Sequence, residues 1–187
     1  DAPLGNGQLE NAPQAIEGGV DEQGRTYSYL GQQSVNQKLI LTASNGFFTN
    51  RTCVAKGESS LPKVGDEELI ALNFEYLEWR ASEGSLRWHL LISEPGEVHF
   101  NVHLEASQRS RIQFALGDQV QEISTSVMDA DSAQPWDLTF SVPEPGEYLV
   151  SLTAIQPNET VGNLHRIEAF GSAMENAHLL RVRWRPA

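Results

Sequence analysis

The stretch from Leu86 to Leu104, LRWHLLISEPGEVHFNVHL, decides how the rest of the chain is read. Before its Pro95-Gly96 pair, Leu86, Trp88, Leu90 and Ile92 alternate with Arg87, His89 and Leu91. After the pair, Val98, Phe100, Val102 and Leu104 alternate with His99, Asn101, His103 and Glu105. A period of two sends neighbouring side chains to opposite faces of a strand, so each run has one buried face and one wetter one. Glu94-Pro95-Gly96-Glu97 sets Pro second and Gly third in a turn. Pro fixes a negative φ and Gly accepts the positive φ of a type II turn.

Outward from this stretch the same period returns. Ile112, Phe114 and Leu116 form one row; Trp136, Leu138, Phe140 and Val142 another; Tyr148, Val150 and Leu152 a third; Leu180, Val182 and Trp184 a fourth. Gly117-Asp118 suits a tight hairpin whose first central residue has positive φ. Six alternating strands separated by turns indicate a sandwich or barrel and not a helical fold. Glu144-Pro145-Gly146-Glu147 repeats the first turn. Trp88-x-Leu90-x-Ile92, Pro-Gly, Val98-x-Phe100-x-Val102 is matched by Trp136-x-Leu138-x-Phe140, Pro-Gly, Tyr148-x-Val150-x-Leu152. The second copy is two residues longer before its turn, one full pleat, which preserves the buried face. The two copies read as similar hairpins within one sandwich.

The first part of the chain is less regular. To about Gly24 it is rich in Gly, Asn, Gln and Pro, with a strand expected near Ala15-Ile16-Glu17. Further strands are expected at Tyr27-Leu30 and Lys38-Thr42, and a loop over 57–67. Glu67 to Leu77 fits either a short helix or a strand. Residues 1–78 are therefore read as a loop-rich N-terminal extension with a few strands, packed on a β-sandwich core at 79–187.

Composition narrows the function classes. The chain has 187 residues, 40% hydrophobic and 20% charged, with a formal net charge of -12. That apolar content suffices for a core. The negative charge disfavours a nucleic-acid partner, whose phosphates it would repel. No run approaches the roughly 20 apolar residues that span a bilayer, so no membrane insertion is expected. Asp1-Ala2-Pro3-Leu4-Gly5 reads as a mature end left by signal removal or as a cut boundary. A secreted, periplasmic or cell-surface location fits this acidic composition. Cys53 is the only cysteine, so no intrachain disulfide forms; it is either a small buried hydrophobe or a thiol beside Arg51 and Lys56.

Catalytic motifs are missing from the sequence: there is no Gly-x-Ser-x-Gly elbow, phosphate-cradling Gly loop, His-Glu-x-x-His or Cys-x-x-Cys pair. Glu67-Glu68 is an acid pair of the kind a glycosidase uses, but such pairs are common in an acidic chain. His99 and His103 share a strand face about 13 Å apart, too far to ligate one ion, and read as solvated or as cross-strand partners. Asp129-Ala130-Asp131 with Asp137 gathers hard oxygens of the kind calcium prefers, without the Gly and distal Glu of an EF-hand; the alternative is a solvated acidic loop.

Arg181, Arg183 and Arg185 alternate with Leu180, Val182 and Trp184. Strand geometry aims the three guanidinium groups to one face about 7 Å apart, where they would grip sulfate or uronate groups by forked hydrogen bonds. The alternative is a charged strand face that guards an edge. Sugars stack on exposed rings. Trp88, Trp136 and Trp184 fall in the apolar register and are expected in the core. Trp79 and the loop pair Phe47-Phe48 are the better candidates for exposed rings.

Trp88 to Leu104, the hairpin Arg111 to Val120 with its Leu116-Gly117, Trp136 to Leu152 and the closing Leu164-His165-Arg166-Ile167-Glu168 together resemble galactose-binding-like jelly-roll modules. They are similar in particular to the accessory sandwiches attached to secreted α-L-fucosidases, sulfatases and other polysaccharide-degrading enzymes. The resemblance runs from about Trp79 to Trp184 and leaves the first part unmatched. It implies a jelly-roll type β-sandwich, no catalysis, carbohydrate binding and often a structural calcium. The expected function is a carbohydrate-binding or accessory module of an extracellular polysaccharide-processing system, with an anionic polysaccharide as candidate ligand. The alternatives are a structural or adhesion module docked on a neighbouring protein domain, and an enzyme whose carboxylate pair is not evident.

Overall fold

The computed structural model describes residues 14–20, 26–42, 46, 53–56, 76–80, 85–125, 135–155 and 160–184, with 14–19, 26–31, 53–56 and 181–184 described by backbone alone. The strands are β1 (Gln14–Val20), β2 (Thr26–Gln33), β3 (Lys38–Leu41), β4 (Cys53–Lys56), β5 (Tyr76–Trp79), β6 (Leu86–Ile92) and β7 (Gly96–Ala106). They continue as β8 (Ser110–Leu116), β9 (Gln119–Thr125), β10 (Trp136–Val142), β11 (Gly146–Ala154), β12 (Gly162–Phe170) and β13 (His178–Trp184). Among the described residues, one sheet has seven strands in the order β1-β2-β13-β6-β11-β8-β9. The other has six, β10-β7-β12-β5-β4, with β3 pairing β12 next to β5. Every pairing is antiparallel, and the two sheets stack as a jelly-roll β-sandwich. Tyr76–Trp79 resolves as strand, and strands from before residue 79 take places inside both sheets.

The striping of the sequence is the packing of the fold. Leu86, Trp88, Leu90 and Ile92 of β6 and Val98, Phe100, Val102 and Leu104 of β7 are all buried, with their alternates half-exposed. Each such side chain contributes about 1.5–3 kcal/mol when fully buried. Phe100, Phe114 and Phe140, from both sheets, meet with ring centroids 4.8, 5.8 and 5.7 Å apart. Trp88 donates its indole N–H to Thr42 O at 3.0 Å, and Gly46 lies so near the ring that a Cβ there would meet Nε1 at 2.5 Å.

The Pro-Gly turns correct the sequence reading. They are not hairpins: β6 and β11 lie in the seven-stranded sheet, while β7 and β10 lie in the six-stranded one. Each turn is a corner that carries the chain from one sheet to the other. The two repeated units then pair with each other, Trp88 opposite Val150 and Phe100 opposite Leu138. Gly96 stands opposite Val142, and Gly146 opposite Ile92, which sets the corners side by side. Gly96 and Gly146 have φ of 154° and 159°, not the value near 80° of a type II turn. That extended positive region is essentially reserved for glycine. The Gly117-Asp118 hairpin forms as read, with φ 60° at Gly117.

Two further features locate the surfaces. Gln119 and Gln121 of β9 donate side-chain N–H groups to Ser141 O and Thr139 O of β10 at 2.6 and 2.5 Å, joining the edges of the two sheets. At the start of β13 the expected striping breaks. Leu179 faces the core opposite Leu90, yet Leu180, opposite the outward His89, is also only 2% exposed. No helix among the described residues is long and apolar enough to cross a membrane.

Candidate functional site on the six-stranded sheet

The outward residues of β10, β7, β12, β3 and β5 form one surface, fixed by cross-strand register. Thr139, His99, Phe170 and Lys38 make one row; Asp137, Asn101, Glu168 and Ile40 the next. Glu105, Asn163 and Glu78 make a third. Between the last two rows, β12 carries a register shift at Leu164/Arg166. A bulge adds a residue to one strand, and here both His165 and Arg166 reach the surface, 42% and 47% exposed.

Imidazoles and carboxylates alternate across this surface. His99 Nδ1 lies 2.9 Å from Thr139 Oγ1, its Nε2 3.8 Å from Glu97, and its ring stacks on Phe170 with centroids 5.3 Å apart. His103 Nε2 lies 3.1 Å from Glu168 Oε2, and His165 Nε2 3.9 Å from Glu105. Tyr76 sits beside His165, ring centroids 5.5 Å apart. The two ring pairs bracket about 16 Å of β12. Glu168 is the centre of the charge pattern. Lys38 Nζ donates to it at 2.8 Å and Arg166 Nε lies 3.9 Å away. The Lys38 hydrogen bond, opposed by partial burial and helped by His103, holds the Glu168 carboxyl below the usual carboxylate range. Asn101 Oδ1 is buried there with no hydrogen-bond partner among the described residues.

Of the residues singled out in the sequence, His99, His103 and Asp137 belong to this surface, and the other described ones do not. Trp79 is corrected: it is 1% exposed, because Leu77 and Trp79 share the inward face of β5, so it offers no ring to a ligand. Phe47, Phe48, Asp129, Asp131 and Arg185 lie outside the described residues. Arg181 and Arg183 stand in β13 opposite Leu30 and Ser28 of β2, past the last β13–β6 pair at Leu180. Asp137 is exposed on β10 beside Asn101. Among the described residues no group of three or more His, Cys, Asp or Glu side chains is placed to hold a metal ion. His99 and His103 have separate partners, as their spacing requires. Trp88 is core and Trp136 packs, partly buried, against it.

The fold has solved counterparts. The chain is similar to the CBM35 from Cellvibrio japonicus Abf62, with TM-score 0.53 and 13% identity, covering 80% of this chain and 99% of that one. It is also similar to a family 35 carbohydrate binding module from Clostridium thermocellum, with TM-score 0.52 and 9% identity, covering 72% and 98%. At such identities the likeness is one of fold. No family model matches the chain, and no curated protein matches it at a significant level.

Proposed function

We propose that this chain is a non-catalytic carbohydrate-binding or accessory module of an extracellular polysaccharide-processing system. The observation that carries the reading is the complete two-sheet jelly roll, which nearly fills two solved carbohydrate-binding modules. A polar sheet face bracketed by two ring pairs supports it, since sugars need hydrogen-bonding groups beside apolar ring faces. The physical task is to raise the local concentration of a tethered enzyme on its substrate. An anionic polysaccharide is the proposed ligand, drawn either by Arg181, Arg183 and Arg185 or by the six-stranded face. A calcium ion held by Asp129 and Asp131 together with Asp137 of β10 is proposed as a tie between residues 129–131 and the start of that strand.

The test is retardation in native gels containing neutral, uronate-rich or sulfated polysaccharide. Retardation by at least one of them is expected; free migration in all would contradict the reading. An Arg181→Ala/Arg183→Ala/Arg185→Ala variant that keeps full affinity at low salt excludes the arginine stripe as the grip. A second reading, docking on a neighbouring protein domain, is favoured by the outer face of the seven-stranded sheet. There Leu91 and Leu149 are half-buried and Val120 is 55% exposed.

A further inference from the structure

We propose that the outer face of the six-stranded sheet is an acid-enabled site for anionic polysaccharide, a step that rests on the carbohydrate-binding reading above. Histidine is the side chain whose charge ordinarily changes between about pH 5 and 8. Three of the five histidines of the chain, His99, His103 and His165, gather on adjacent strands of this one face. They are 39%, 23% and 42% exposed, within reach of solvent protons and of a bound chain.

The charge on the face is near balance. β10 contributes Asp137, β7 Glu97 and Glu105, β12 Glu168, and β5 Glu78. Against these stand Lys38 on β3, Arg166 on β12, and Arg80 at the end of β5, paired with Glu78 at 3.0 Å. With neutral imidazoles the described acids exceed the described bases by two, and an anionic glycan meets repulsion added to that of the whole chain. Three protonated imidazoles reverse the sign of the face.

The centre is more favourable than the sum. Lys38, Arg166 and, once protonated, His103 all lie within 4 Å of Glu168, where one carboxylate balances three cations. A ligand uronate or sulfate is the second anion this cluster lacks. Phe170 beside His99 and Tyr76 beside His165 supply ring faces for the sugars on either side.

The test compares the affinity of the whole chain for polygalacturonate, by isothermal titration calorimetry, at pH 5.0 and pH 7.5, with a neutral glucan in parallel. Three extra charges on an exposed face should strengthen polygalacturonate binding about tenfold at pH 5.0. A His99→Gln/His103→Gln/His165→Gln variant should lose that gain. His89→Gln, which removes an imidazole from the opposite sheet, should keep it, which ties the gain to this face. Glu168→Gln should raise affinity at pH 7.5, a gain that misfolding cannot imitate. Equal affinity at both pH values, a gain that survives in the triple histidine variant, or a gain lost in His89→Gln would overturn the proposal. Binding to the neutral glucan without an acid gain would overturn it while leaving the carbohydrate reading standing. No binding to either polysaccharide at either pH would remove both.

Discussion

Gly96 and Gly146 occupy equivalent corners, yet their surroundings differ. A Cβ on Gly96 would run into Ser172 Oγ and the Ala173 backbone, whereas one on Gly146 would meet nothing within 4 Å among the described residues. Gly146→Ala should therefore cost only backbone strain, about 1–2 kcal/mol. Gly96→Ala should cost more, and Ser172→Ala in that background should recover part of the difference, all by urea denaturation. His89 gives a pH prediction. Burial, opposed by Glu147, lowers its pKa below the ordinary imidazole value. The unfolded chain then takes up the proton more readily, so stability present above about pH 6.5 is lost as pH falls toward the folded value. Thermal melts from pH 7 to 5 should fall less steeply for His89→Gln than for the wild type. Glu168 works in the carboxylate range. Its lowered pKa means that stability present above about pH 4.3 is lost as pH falls through the folded value, and Glu168→Gln should flatten that limb. At this scale the sequence was only partly legible. The shared face of His99 and His103 follows from a period of two, but His165, Phe170 and Lys38 join them only through the register of β12 with β7 and β3.

Among the elements, the two Pro-Gly units explain where sequence reasoning stops. Alternation before and after a turn is identical whether the second strand folds back beside the first or crosses to the facing sheet. The choice is settled by distant partners: β6 pairs β11 and β13, while β7 pairs β10 and β12. The burial of Trp79 is hidden from the sequence for a related reason. Tyr76-Leu77-Glu78-Trp79 is too short to establish a period alone, and its burial depends on lying between β4 and β12. The joined edges of β9 and β10 make a prediction of their own. Gln119→Ala with Gln121→Ala removes two exposed hydrogen bonds worth about 0.5–1 kcal/mol each. It also leaves two carbonyls of an edge strand open to pairing with another chain. Denaturation should show the loss, and light scattering should show faster association than in the wild type.

For the molecule as a whole, the sandwich was legible because its core is striped in sequence: β6, β7, β8, β10 and β11 can be read directly from that stripe, whereas in β13 the residue opposite Leu90 is Leu179 and not Leu180. The places of β1 to β5 within the sheets were not, since β1 and β2 are rich in Gly and Gln and β3 to β5 are only four residues each, too short to set a period. If calcium ties Asp129 and Asp131 to Asp137 of β10, chelation should lower the melting temperature by a few degrees, and calcium should restore it better than magnesium. The central claim is that the β7–β12 face receives the glycan. Backbone NMR shift mapping with oligogalacturonides at pH 5 tests it most directly. Shifts clustered at His99, His103, Arg166, Glu168 and Phe170 are the predicted result. Saturating ligand that moves none of these, or moves only residues of β6, β11, β8 and β9, would contradict it.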